Sequence, residues 1–294
     1  MMTRLRLRGH TLELGSRPLL MGIVNAAPDS FSDGGDHPTL QSRVAFGAAL
    51  VEAGADLLDV GGESARGDTA AVREQEEIGR VVPLIARLTG LGALVSVDTY
   101  KPAVAAAAID AGAALVNDTS GLADPALANV CARTGAGLVV MHTRVPPKGT
   151  LLDPARYDDV MADVTGFLRE RMALALAHGV DHEQLLLDPG PDFAKTPAQT
   201  VAVLQRLGEL HELGRPLLLA PSNKDFVGAL TGRPPRERLA GTLAAVAHGV
   251  DAGAHVLRVH DVAAVADFLR VRAALRGDVE LSPDEGLTPD RYPR

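Results

Sequence analysis

MGIVNAAPDSFSDGG, Met21 to Gly35, is the stretch from which the rest of the chain is read. The apolar run from Pro18 to Val24 ends in one amide, Asn25. A polar loop follows, holding Pro28, Asp29, Ser30, Phe31, Asp33 and a glycine pair. An apolar run this short predicts a buried strand. A buried strand that ends in a polar side chain and passes into a polar loop is how parallel α/β folds build sites at the carboxyl ends of their strands.

Upstream, Arg4 to Leu14 alternates polar and apolar residues across Gly9-His10, which predicts a β-hairpin able to plug the bottom of a barrel. Downstream, further strand runs are predicted at Asp56–Gly61, Leu94–Thr99, Ala114–Asp118, Gly137–His142, Leu185–Pro189, Pro216–Pro221 and His255–Asp261. Helices are predicted over Leu40–Ala53, Ala71–Leu88, Pro102–Ala111, Pro125–Thr134, Tyr157–His178, Pro197–Leu213, Phe226–Asp251 and Val262–Arg276. Gly54, Gly112, Gly135, Gly179, Gly214 and Gly253 each fall just past a helix end, where glycine permits a left-handed turn. This βα beat predicts an α/β chain, a (β/α)8 TIM barrel with an N-terminal β-hairpin. Residues 1–276 form one domain and residues 277–294 a poorly ordered tail.

Composition agrees. A chain of 294 residues, 46% of them hydrophobic, can bury the core of one such barrel. A formal net charge of -8 argues against nucleic acid as a partner. The lone Cys131 excludes an internal disulfide and fits a reducing, cytoplasmic setting. No apolar run reaches roughly 18 residues, so no membrane span is expected. The N-terminus lacks the continuous apolar stretch of a signal peptide.

In a barrel, the carboxyl ends of the strands share one face. Here those ends carry Asn25, Gly61-Gly62-Glu63-Ser64-Ala65-Arg66, Asp98, Asn117-Asp118, His142, Asp188, Ser222-Asn223-Lys224 and Arg258-Val259-His260-Asp261. Single polar ends are ordinary caps and turns. A polar group on every strand end predicts a site.

The motifs on these ends are N-x-A-P-D-S-F-S-D-G from Asn25, DVGGES with Arg66, SVDT, NDTSG, DPG with Phe193 and Lys195, and RVHDV. In order and spacing they resemble dihydropteroate synthases, the pterin-condensing enzymes of folate biosynthesis. The resemblance runs from about Pro18 to Leu275. It implies a transferase that joins 6-hydroxymethyl-7,8-dihydropterin diphosphate to p-aminobenzoate, releases pyrophosphate, uses Mg²⁺ and forms a homodimer.

The residue chemistry suits those substrates. A pterin presents an edge of N–H donors that a buried carboxylate can accept in parallel. Asp98 and Asp188 are the candidates, with Asn117 as donor and acceptor. Capping or a turn is the alternative reading of both aspartates. Lys224 can donate to a pterin carbonyl or ring nitrogen. Met141 can pack on the ring face or be plain core. Ser222 joins the substrate-binding set, and Phe193 and Phe31 flank the amine. Arg258 and His260 alternate on one strand and face the same side. With Asn25 and Arg66 they suit a diphosphate. Arg66, Lys224, Arg258 and His260 are the candidate catalytic residues. Asn25 is the candidate metal ligand, because Mg²⁺ keeps much of its water and takes few protein groups. His142 is left out of the site.

Some positions depart from the family pattern. Ala27 stands for its threonine, and Ala65 and Gly67-Asp68 replace parts of T-R-P-G. Asp192 and Ala194 replace glycines beside Phe193, and Asn223 and Asp225 replace parts of S-R-K-S. The sequence SNKD resembles second-copy synthase-like proteins of actinobacteria. A pterin-binding paralogue with weak or no p-aminobenzoate activity, or one that uses another amine, is therefore the alternative. Asp225 has two readings: a helix-start residue favoured by the dipole, or a charge that repels an amine's carboxylate.

Overall fold

The structure is a computed structural model and describes residues 3–15, 17–27, 37–63 and 70–280. Phe31, Arg66, most of the two loops that carry them, and the tail beyond 280 lie outside the described residues. Strands β3 (Leu19–Asn25), β4 (Leu57–Gly61), β5 (Val95–Asp98), β6 (Leu115–Asp118), β7 (Gly137–Met141) and β8 (Leu185–Asp188) pair in parallel, each with the next. β10 (Val256–Val259) pairs with β3 on one side and with β9 (Leu218–Leu219) on the other. A parallel bridge from Leu187 to Leu217 closes the ring. The hairpin β1 (Thr3–Leu7) and β2 (His10–Leu14) forms a separate sheet, turning at Arg8-Gly9.

Because strand side chains alternate, each barrel strand sends one set inward and one outward. The outward set packs on the surrounding helices: α1 (Leu40–Glu52), α2 (Glu74–Gly90), α3 (Pro102–Asp110), α4 (Ala126–Thr134), α5 (Val160–Ala177), α6 (Pro197–Gln205), α7 (Asp225–Thr231), α8 (Leu239–Asp251) and α9 (Val262–Arg276). The inward set is a second core of Met21, Leu57, Leu115, Val139, Leu186, Leu218 and Val256, joined by Leu5, Leu7 and Leu14 of the hairpin. The hairpin therefore plugs the amino-terminal end of the barrel. The buried Arg215 guanidinium fastens it there, donating to the carbonyls of Arg4 (2.9 Å), Glu183 (3.2 Å) and Leu185 (3.0 Å).

Two predicted helices are interrupted. The run Phe226–Asp251 divides into α7, a 3-10 turn at Pro235–Glu237 and α8. Gly232 takes φ +69 at the end of α7, and Pro234 and Pro235 have no N–H to continue an α ladder. Pro197–Leu213 becomes α6 followed by a 3-10 turn over Leu207–Leu213. The strand predicted at Pro216–Pro221 shrinks to Leu218–Leu219. The six glycines placed past helix ends all take positive φ.

Candidate active site

One layer above the apolar inner core, the alternation places polar groups in the same inward columns. Asp59 follows Leu57, Asn117 follows Leu115, Asp188 follows Leu186 and Arg258 follows Val256, each two residues on. Asp98 shares its face of β5 with Ser96. Period two in the strands thus turns a greasy interior into a charged mouth within one step of the pleat.

Arg258 lies across this mouth. Its Nε donates to Asp59 Oδ2 at 2.6 Å and its Nη2 to Asp98 Oδ2 at 2.8 Å. Asn117 Nδ2 donates to the same Asp59 oxygen at 2.9 Å. Among the described residues, Asp59 Oδ1 and Ser96 Oγ are buried without a hydrogen-bond partner. Burial pushes the Asp98 carboxyl up to about 7, against the pull of Arg258 and with Asp59 adding to the rise. Asp98 does not cap the following helix: among the described residues α3 has no side-chain cap, and Asp98 accepts from the arginine instead.

Asp188 keeps part of the turn reading. Its Oδ1 accepts from Gly190 N at 2.7 Å, and burial raises its pKa. Met141 is fully buried, in contact range of a side chain placed at Gly190. Ser222 Oγ lies 2.9 Å from His260 Nδ1 and accepts from His260 N at 3.3 Å. Arg258 lies in β10 and His260 one residue past its end, and the guanidinium is engaged by Asp59 and Asp98, so the two are not a bare cation pair. Asn25 ends β3 half-buried, opposite Gly61 of β4.

On the rim, the Lys224 ammonium sits 4.7 Å from the Phe193 ring centroid, a cation–π contact. Burial lowers the lysine's pKa, while Asp192 and Asp188 raise it. Phe193, Lys224, Asp192, Asp225 and the segment Gly149–Leu152 line an open groove beside the mouth. The Phe193 loop is strained: Asp192 has φ +67 and Ala194 φ +51, the two positions where the family pattern has glycine. For a residue such as Ala194 that conformation costs about 1–2 kcal/mol. Asp192 offsets some of this through contacts glycine lacks. Its Oδ1 accepts from Thr200 Oγ1 at 3.1 Å and its Oδ2 from Asp225 N at 2.5 Å. Asp225 is the first residue of α7. Its exposed carboxylate pairs with Arg238 Nη1 at 3.0 Å, so its charge is compensated within the protein.

Asp59, His142 and the cluster of Glu63, Glu77 and Lys101 belong to the surroundings of the site although no role was expected of them from sequence. Asp59 sat unnoticed in DVGGES, although its inward parity was readable from Leu57. His142 was set aside, yet its ring is fully buried between Asp163 (Nε2–Oδ1 2.9 Å) and Lys195 (Nδ1–Nζ 2.7 Å). Burial lowers the His142 pKa to about 4 and that of Lys195 to about 7. Glu63 and Glu77 together hold Lys101, fixing the base of the second loop. No spacing rule announces such long-range pairs.

Comparison with known proteins agrees with this geometry. The family model described as pterin binding enzyme matches residues 21–260. The dihydropteroate synthase of Bacillus subtilis (strain 168) is 40% identical over 267 residues, covering 90% of both chains. The Xanthomonas albilineans dihydropteroate synthase with 4-aminobenzoic acid superposes with a TM-score of 0.86 at 45% identity, over 94% of this chain and 99% of that one. The same enzyme in complex with 7,8-dihydropteroate gives 0.81 at 45% identity, over 92% and 98%. Among the described residues no group of three or more His, Cys, Asp or Glu is arranged to hold a metal, and no helix is long and apolar enough to cross a membrane.

Proposed function

This chain belongs to the dihydropteroate synthase family, and on that premise we propose that it joins 6-hydroxymethyl-7,8-dihydropterin diphosphate to p-aminobenzoate and releases pyrophosphate. The observation that carries the reading is the inward polar layer: Asp98, Asn117 and Asp188 converge on one barrel mouth with Lys224 on its rim. Carboxylates accept the N–H edge of the pterin, and Lys224 donates to its carbonyl or ring nitrogen. Pterin binding draws Asp98 into its ionised form, since the ring's donors reward the charge that burial disfavours.

Arg258, Ser222 and His260 stand on the strand ends that suit a diphosphate. Their donors stabilise the negative charge that develops on the leaving pyrophosphate. The C–O bond breaks with its electrons on the pyrophosphate. The amine lone pair forms the C–N bond, and the amine then releases a proton. Phe193 flanks the amine. Arg66 and Phe31 take the roles the family resemblance implies. Asn25 offers one hard amide oxygen on a half-buried strand end. That donor fits a Mg²⁺ ion held chiefly by substrate oxygens and water. When bound, such an ion supplies charge neutralisation to the diphosphate.

The pairing of Asp225 with Arg238 favours a working synthase over a paralogue that rejects the carboxylated amine. A cytoplasmic homodimer belongs to the same proposal. Exposed Val271 and Leu275, one turn apart on α9, offer an apolar face for a second copy. The test is pyrophosphate release from the pterin diphosphate with and without p-aminobenzoate. Release that depends on the amine, with dihydropteroate as product, supports the reading. No amine-dependent release refutes it.

A further inference from the structure

The Lys195 ammonium is fully buried and, among the described residues, meets three acceptors at 2.7–3.0 Å, none of them a carboxylate. Two are backbone carbonyls of its own loop, Gly190 O at 2.8 Å and Phe193 O at 3.0 Å. The third is His142 Nδ1 at 2.7 Å. Because Nδ1 accepts, the ring proton sits on Nε2 and is donated to Asp163 Oδ1 at 2.9 Å. Asp163 is also gripped from outside by Arg144, through Nε at 2.9 Å and Nη2 at 2.8 Å. Two carboxylates lend the buried lysine counter-charge without touching it: Asp188 at the end of β8, and Asp163, which stands one imidazole away on α5.

We propose that Lys195 is a positioning residue for the arylamine side of the reaction, acting through the carbonyls of Gly190 and Phe193, and itself held by the hydrogen-bonded line through His142 to Asp163. The proposal rests on the reading of Phe193 as the flank of the amine. The carbonyls that Lys195 holds bracket Phe193, and their loop carries two non-glycine residues in left-handed conformation, Asp192 and Ala194. Left to local preference, those residues favour other conformations. The buried ammonium holds them in place from below. Phe193 N also donates to Gly190 O, at 3.1 Å, so one carbonyl serves both the turn and the lysine. The same loop begins at Asp188, yet the Asp188 backbone is fixed by the pairing of β8 with β7 and by His142 N, which donates to its carbonyl at 2.9 Å. Loosening Lys195 therefore acts on the amine before it acts on the pterin.

The test uses the full chain with Lys195→Met, Asp163→Asn and, as control, Arg144→Ala. Asp163 lies outside the loop and is 29% exposed, so its variant remains informative if Lys195→Met does not fold. Hydrogen exchange at the Phe193 amide should quicken by about tenfold or more in Asp163→Asn and stay unchanged in Arg144→Ala. The KM for p-aminobenzoate should rise about tenfold in Asp163→Asn, while kcat and the KM for the pterin diphosphate stay within about twofold. Unchanged exchange in Asp163→Asn, an equal effect of Arg144→Ala, or equal increases in both KM values would overturn the proposal. If wild type makes no dihydropteroate, the functional reading fails, and the exchange arm still decides whether Lys195 and Asp163 set the loop.

Discussion

Replacing Arg258 by Met removes the cation that lies between the buried carboxylate of Asp59 and the half-buried one of Asp98. The guanidinium holds Asp59 at 2.6 Å and Asp98 at 2.8 Å, and the three side chains are 19%, 0% and 22% exposed. Removing one partner of such a buried group costs about 3–5 kcal/mol, chiefly because charge is left behind without compensation. The cost depends on pH. Asp98 has a pKa of about 7 in the folded protein against 3.8 as its ordinary value. Between those values the folded state binds more protons than the unfolded state, so wild-type stability falls as pH rises through the window. The penalty is fully present above about pH 7 and amounts to at most about 4 kcal/mol. Without Arg258 the carboxyl keeps its proton to still higher pH. At about pH 5.5 Asp98 is therefore neutral in both proteins, and the variant loses mainly the contact to Asp59; at about pH 8.5 it suffers the full effect. At about 2–4 °C per kcal/mol, Tm should drop by roughly 10 °C at the higher pH and by less than half of that at the lower. Scanning calorimetry of wild type, Arg258→Met and Arg258→Met/Asp98→Asn measures this. The second change should recover much of the loss at high pH. Equal losses at both pH values, or no loss, would refute the reasoning and return Arg258 to the role of a simple anion-binding group.

Other outcomes follow from the same geometry. Asp188→Asn should weaken pterin binding by about 2–5 kcal/mol in a calorimetric titration, and unchanged affinity rejects Asp188 as a pterin acceptor. Asp225→Ser should lower the KM for p-aminobenzoate by less than about fivefold, because a solvated, paired carboxylate repels the substrate by about 1 kcal/mol at most. A hundredfold gain in steady-state kinetics would show that the charge faces the amine. Gly190→Ala should destabilise the protein by about 2 kcal/mol or more in denaturant titration. Its methyl would stand 2.1 Å from His142 O, at a residue with φ +63. Wild-type stability in this variant would mean the loop relaxes freely.

The barrel and its polar mouth were legible because both rest on local rules. Apolar runs with glycines past the helix ends give the βα alternation, and the last residue of each run gives the mouth. The same parity that places Asp98 and Asn117 also places Asp59, which stands in an inward column two residues short of its strand's end. The division of Phe226–Asp251 was legible in Gly232-Arg233-Pro234-Pro235 and was overridden by the apolar pattern on either side. The engagement of Arg258 by Asp59, and the line from Lys195 through His142 to Asp163, were not legible. They join residues 199, 53 and 21 positions apart, and such meetings are decided by how the barrel closes.

The ring of strands has a seam. Elsewhere neighbouring strands share three to five paired residues, but β9 offers two to β10 and meets β8 through a single bridge. A hoop with one thin stave yields there first, since local opening follows the density of hydrogen bonds. Ser222 and Lys224 hang from the lip of that stave, while Asp98 and Asn117 stand on the densely paired arc facing it. A flat ring held between the two would be gripped like work in a vice, the jaw on the seam being the thinner one.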